Sequence, residues 1–319
     1  MTQAAGHEGG TSEEQRVRLL SARPPAPVRM VLDTDAWNEI DDQFALVHVL
    51  LAPDRARLEA VYAAPFVNSR AATPAEGMGK SEAEIHRVLG LRPDRKIPVF
   101  AGSERWLTEV GGPVSSPAAD DLIERSRAGA ARARAGDSPL YVVAIGAPTN
   151  VASALLADPT LAERIVVVWL GGHALHWGTA AEFNLRQDPD ASRVLLDSGV
   201  PLVLVPCLGV ADHMITSKAE IDRYVRPAGD AGALLAGLYD EYVPDKPGWS
   251  KVIWDLSATA WVLDRTWLDT EFTTSPLLTP SLTWSRDPGR HLILSATHVN
   301  RDKIFGDLFG RLAEHHGGR

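Results

Sequence analysis

Cysteine is almost absent from this chain of 319 residues: Cys207 stands alone, so no disulfide can form within the molecule. Long apolar runs are missing too. The longest, residues 141–145 and 165–170, fall far short of the ~20 residues that span a bilayer. Positive charge is not in excess, since 32 Lys plus Arg stand against 41 Asp plus Glu, a formal charge of −9. That balance disfavours a general binder of phosphate backbones. The N-terminal segment offers no uninterrupted apolar stretch and carries Glu13 and Glu14 early, unlike a secretory signal. These absences lead us to expect a protein of a reducing compartment, cytoplasmic, with no nucleic-acid or membrane partner and with residues 1–27 as a flexible leader.

What is present is a composition of 45% hydrophobic and 23% charged residues, enough for a large buried core. After Pro27 no linker, charge block or internal repeat divides the chain, so residues 28–319 are expected to form one domain. Six short bursts, RMVLDTD, LEAVYAA, IPVFAG, PLYVVAIG, RIVVVWLGG and VPLVLVP, are rich in β-branched residues and bounded by polar or turn residues. They read as parallel strands buried on both faces. Helical spacing appears between them over residues 42–51, 81–89, 150–156 and 191–196. The alternation predicts an α/β fold with a central, mainly parallel, Rossmann-like sheet flanked by helices, in which ligands sit beyond the carboxyl ends of strands.

The first burst runs into Asp33-Thr34-Asp35-Ala36-Trp37-Asn38-Glu39-Ile40-Asp41-Asp42, five carboxylates in ten residues at the start of a predicted helix. A hard divalent cation with oxygen ligands relieves such crowding. The alternatives are a solvated acidic loop that favours a helix N-terminus and an aspartyl-type phosphatase built on Asp-Thr-Asp. An EF-hand fails, because Asn38 and Phe44 occupy the positions that require Gly and Glu. The segment ATPAEGMGKSEAEIHRVL is too short for a phosphate loop, and Lys80 and Glu84 read as surface residues of a helix.

This loop resembles that of the inosine-uridine preferring nucleoside hydrolases, whose first strand ends in Asp-x-Asp-Pro-Gly-x-Asp-Asp; here the connection is two residues longer and lacks Pro-Gly. Further matches are IPVFAG at 97–102, AIGAPTNVASALLADPTLAERIVVVWLGG at 144–172 and AAEFNLRQDPDASRVLLDSGVPLVLVP at 180–206, so that the resemblance spans about residues 28–315. It implies hydrolysis of the N-glycosidic bond of a ribonucleoside or related N-riboside in nucleoside salvage, a bound Ca²⁺ and a homo-oligomer, dimer or tetramer. Position by position, Asp35 is similar to the calcium-bound base that activates water, and Asp42 to a bidentate calcium ligand. Thr149 would add its carbonyl, and Asp255 would close the metal ring. Asp41 would hold ribose hydroxyls, and Asp33 would support the loop from behind or serve only as a strand-end turn residue. Glu182 and Asn184 fall in the family's ribose-binding Glu-Phe-Asn; two apart in an extended segment, they would face one sugar while Phe183 turns inward. Pro65 stands where the family has a ribose-binding Asn, and Asn68 is the nearest substitute.

The sharpest departure is Trp254, where the family has the His that protonates the leaving base. An indole cannot protonate a leaving group. It offers either a stacking face for the base or simply core packing. His173 and His176, after the VVVWLGG strand, are the candidates for a replacement acid, and His213 is a weaker one. A non-catalytic nucleoside- or sugar-binding protein is the alternative should no acid survive.

Overall fold

The alternation of bursts and helices decides the architecture of the computed structural model, which describes residues 11–133 and 139–317. All six bursts are strands: β1 (Val28–Thr34), β2 (Ala56–Ala63), β3 (Val99–Ala101), β4 (Leu140–Ala144), β5 (Ile165–Leu170) and β6 (Leu202–Val205). Two small strands, β7 (Ile215–Ser217) and β8 (Ser250–Val252), pair antiparallel on their own. The chain then returns to the main sheet through β9 (Leu268–Thr274), makes the short pair β10 (Leu277–Leu278) and β11 (Trp284–Ser285), and completes the sheet with β12 (Leu292–Val299).

The eight-stranded order is β3-β2-β1-β4-β5-β6-β12-β9, parallel throughout except for the edge strand β9. Strand order reverses between β1 and β4, and ligands of such sheets bind beyond the carboxyl ends at that switch point.

Alternate residues of each strand feed opposite cores. Met30, Leu32, Val143, Val166 and Val168 pack toward helices Asp41–Leu51, Leu256–Leu263 and Arg301–Gly317, where Phe44, Trp261 and Phe305 are buried. Val31, Val142, Val167 and Trp169 pack the other way, toward helices Pro117–Ala133, Thr149–Ala157 and Pro189–Asp197. Burial on both faces is why these strands read as unbroken apolar runs.

Three expectations need correction. Where a flexible leader was expected, residues 1–10 lie outside the described residues, but Glu13–Ser21 forms a helix. Ser12 caps it, Leu20 enters the core, and the buried Arg16 donates from Nε to the Gly199 carbonyl at 2.8 Å. The helix predicted from Ser81 begins at Pro74, because Thr73 caps it and Pro74 stands in its first turn. Glu84, expected at the surface, is buried and accepts from Gln43 Nε2 at 2.9 Å and from the Arg87 guanidinium. Among the described residues no helix is long and apolar enough to cross a membrane.

Candidate active site

The acidic loop leaves the sheet at the switch point. Asn38 N–H closes a turn on the Asp35 carbonyl at 2.9 Å, and Trp37 carries a φ of +89°, a conformation that bulky residues avoid. Two guanidiniums hold that residue: Arg70 lies 5.5 Å and Arg87 5.9 Å from the Trp37 ring, and Arg70 Nη1 donates to the Trp37 carbonyl at 3.1 Å. The longer connection thus keeps its shape without the family's Pro-Gly. The helix that follows starts at Asp41 and brings both of its first carboxylates to the loop.

Asp41, Asp42 and Asp255 are buried, and one carboxylate oxygen from each lies within 4.8 Å of the others. Thr34 donates its hydroxyl to Asp42 Oδ1, and the Trp254 backbone N–H donates to Asp41. Burial first, then the Asp42 and Asp41 charges, pushes Asp35 well above the usual carboxylate range. Asp42 is raised in the same way by burial and by Asp41. Asp255 is raised by burial and by Asp41, Asp42 and Asp35. Asp41 itself rises to about 6 through burial, against the pull of Lys251, whose ammonium is paired with Glu39. Asp35 Oδ2 is buried with no hydrogen-bond partner among the described residues. At the end of β4, a Cβ on Gly146 would stand 3.1 Å from Asp35 Cγ and Oδ1, so the glycine gives that carboxylate its room.

Asp33 stands behind the loop. It accepts from Asn150 Nδ2 at 2.8 Å, and burial pushes it up to about 7. Thr149, beside Asn150, is buried and donates its hydroxyl to Asp188 at 2.9 Å.

The segment after Ala181 departs from expectation. Phe183–Gln187 is a helix rather than extended chain, because Glu182 caps it, accepting from Asn184 N–H at 2.9 Å and Leu185 N–H at 3.2 Å. Phe183 is half-buried at the cavity wall and does not turn into the protein. Glu182 also accepts from the Gly172 N–H at 3.0 Å and from the Cys207 thiol. Asn184 is buried and donates to the Ile145 and Leu170 carbonyls at 3.1 and 3.0 Å, tying its carboxamide to the ends of β4 and β5.

These groups converge on a cavity of about 370 Å³, within the size range of small-molecule sites. Asp35, Asp41, Asp42, Asp255, Glu182, Asn184, Trp254 and His173 all line it. Asp33, Thr149, Asn68 and His176 do not line it. Asn68 Nδ2 instead donates to Asn38 Oδ1 at 2.7 Å, and Asn38 reaches the cavity. His176 is exposed and packs on Trp177. Asn38, Glu39, Arg186, Cys207 and Leu208 line the wall without having been picked out as site residues. Their signal was adjacency, since Asn38 and Glu39 lie inside the acidic loop, Arg186 lies two residues past the Glu-Phe-Asn motif, and Cys207 and Leu208 lie within three residues of the end of β6.

The family model described as inosine-uridine preferring nucleoside hydrolase matches residues 30–304. The pyrimidine-specific ribonucleoside hydrolase RihA of Salmonella paratyphi A is 28% identical over 263 residues, covering 73% of this chain and 79% of that protein. Among solved structures, a plant nucleoside hydrolase, PpNRh1, superposes with a TM-score of 0.71 at 18% identity, over 90% of this chain and 99% of its own. The purine-preferring ribonucleoside hydrolase from Gardnerella vaginalis gives 0.70 at 19% identity, over 91% and 100%. The two structural likenesses bear on the fold.

Proposed function

The chain belongs to the inosine-uridine preferring nucleoside hydrolase family, and from that premise we propose that it hydrolyses the N-glycosidic bond of a ribonucleoside, releasing ribose and free base, with Ca²⁺ at the acidic floor of its cavity. Family membership decides against an aspartyl phosphatase and favours an enzyme over a binding protein. The observation that carries the reading is the buried, partnerless Oδ2 of Asp35 beside the Asp41, Asp42 and Asp255 carboxylates, in the cavity that Glu182 and Asn184 also line.

The donor set fits a hard cation. Three oxygens from buried carboxylates lie close enough to share one ion, and the mutual repulsion that raises their proton affinity is relieved by positive charge. Asp41, Asp42 and Asp255 would anchor the ion with Asp35 beside it, and the family resemblance adds the carbonyl of Thr149, which stands just outside the cavity lining. When bound, calcium supplies charge that keeps these carboxylates ionised and polarises the attacking water.

Asp35 Oδ2 would then accept the water's proton as the oxygen attacks the anomeric carbon. Glu182 and Asn184 would hold ribose hydroxyls, Asp41 serving sugar and ion together. Glu182 also places negative charge where the ribose develops oxocarbenium character. Its three backbone N–H contacts fix its position before substrate arrives. Asp33 would act at one remove, fixing Asn150 next to Thr149. Trp254 would lay its ring against the departing base. We further infer a cytoplasmic homo-oligomer from the family; sedimentation of the purified protein reads its size.

The test is incubation of the calcium-saturated protein with uridine, inosine and nicotinamide riboside. Ribose should appear with an equal amount of base from at least one of them. No ribose from any would overturn the reading.

A further inference from the structure

Trp254 leaves the reaction without a proton donor at the position where the family has histidine, while His173 brings an imidazole to the same cavity. That ring is fixed by its surroundings. The Leu208 backbone N–H donates to its Nδ1 at 3.3 Å, the Trp284 indole Nε1–H donates to its carbonyl at 2.9 Å, and the Trp177 ring lies 6.5 Å away. The backbone that bears it is equally constrained: Gly172 has φ +67°, and a Cβ there would meet the Trp284 ring at 2.5 Å.

An acceptor at Nδ1 settles the tautomer. A neutral imidazole carries one proton, so with Nδ1 receiving the Leu208 N–H the proton resides on Nε2. The imidazolium would set an Nδ1–H against that amide N–H. Burial pushes the same way, lowering the affinity of the ring for a second proton against the pull of Asp212. A neutral imidazole donates a hydrogen bond well and surrenders its proton poorly.

We propose that His173 meets the departing base as a fixed, neutral Nε2–H donor, so that the base leaves as a hydrogen-bonded anion and is not protonated by the enzyme during bond cleavage. The inference rests on the hydrolase reading above and assigns the leaving-group side of that reaction. The bond between the anomeric carbon and the base nitrogen breaks with its electron pair going to the base. The water oxygen bonds to the anomeric carbon, and its proton passes to Asp35. The anion accepts the Nε2–H hydrogen bond, then takes a proton from solvent after release. Bases whose anion is poor should be poor substrates however well they bind.

The test compares uridine with p-nitrophenyl riboside, whose phenolate leaves unaided, in calcium-saturated protein. His173→Ala should lower kcat on uridine by about tenfold to a hundredfold, the range for losing a hydrogen bond to a charged group. The p-nitrophenyl riboside rate should stay within about threefold by the same reasoning. His173→Gln, which keeps an N–H at similar reach, should restore most of the uridine rate. Should the Ala variant lose thermal stability, His173→Phe fills the volume without a donor and is read against the Gln variant. Equal losses on both substrates, or an unchanged uridine rate, would overturn the proposal alone. Failure of the unsubstituted protein to release ribose from uridine, inosine, nicotinamide riboside and p-nitrophenyl riboside alike would overturn the hydrolase reading and this inference with it; where inosine is cleaved and uridine is not, inosine takes the place of uridine in the comparison.

Discussion

A half-buried cluster of ionisable side chains around Asp307 and a buried one around Asp35 are built on opposite plans. Around Asp307 a carboxylate meets a ring nitrogen and two cations: His48 Nε2 lies at 2.9 Å, Arg311 Nε at 2.8 Å and Arg55 Nη2 at 3.2 Å. Burial opposes ionisation there, yet hydrogen bonds from His48 and Arg311, helped by the Arg55 charge, carry Asp307 down to about 2. Around Asp35 the neighbours are Asp41, Asp42 and Asp255, and burial and repulsion act in the same direction. The first cluster neutralises its carboxylate within the chain and ties helix Arg301–Gly317 to helix Asp41–Leu51. The second gathers like charges, an arrangement that a hard cation could relieve.

The contrast breaks most sharply at Asp35. Asp35→Asn should lose about 10²–10⁴ in kcat, the usual worth of a positioned base, because an amide cannot take the water's proton. Its thermal midpoint should hold or rise, since one repelling acid is gone; near-normal turnover would assign the base elsewhere.

Chelation comes next. Each carboxyl raised in the folded state makes folding less favourable as pH climbs from the unfolded carboxylate value, near 4, through its folded one. For Asp41 that window ends at about 6, and for Asp35, Asp42 and Asp255 it extends higher. Chelator-treated protein should therefore lose stability as pH rises from about 4 toward neutrality. Calcium at a hundred times its Kd should return about 2.7 kcal/mol and flatten the slope. Thermal melts across pH, with and without calcium, read both effects.

Asp307→Asn should invert the pattern, costing about 2 kcal/mol of stability at neutral pH while leaving kcat alone. The sign follows from the lowered carboxyl: its contribution is full above the ordinary carboxylate range and disappears as pH falls toward about 2. The variant should accordingly lose that acid limb in denaturant titrations.

The smallest effect is expected at Trp254→His, which gives up a stacking surface of about 0.5–1.5 kcal/mol and gains a titratable donor. The rate gap between p-nitrophenyl riboside and inosine should narrow. A gap that widens would mean that stacking outweighs proton donation at this position.

Strands β1, β2 and β4–β6, the short edge strand β3 and the acid loop were legible because their physics is local. Strands buried on both faces are apolar over most of their length, and carboxylates crowded within ten residues declare themselves without tertiary context. The edge of the sheet was not legible in this way. In β9, Asp269, Glu271 and Phe272 are exposed or half-exposed, so the segment shows no apolar run. The Glu13–Ser21 helix is equally quiet in sequence, since Leu20 and the buried stem of Arg16 carry its docking. Within the site, Glu182 and Asn184 were found by motif, but the backbone between them was misread because Glu182 caps a helix of only five residues. Asn68 was sought as a sugar ligand, yet its contact is Asn38, a pairing across thirty residues that spacing does not reveal.

The most direct test of the account is calorimetric titration of calcium into chelator-treated protein at pH 7 in two buffers of different ionisation enthalpy. The expected result is one ion bound per chain with release of protons to the buffer, because the buried acids hold protons until a cation displaces them, and strong weakening in Asp42→Asn. Absence of saturable binding, or binding without proton release that Asp42→Asn and Asp255→Asn leave unchanged, would contradict it.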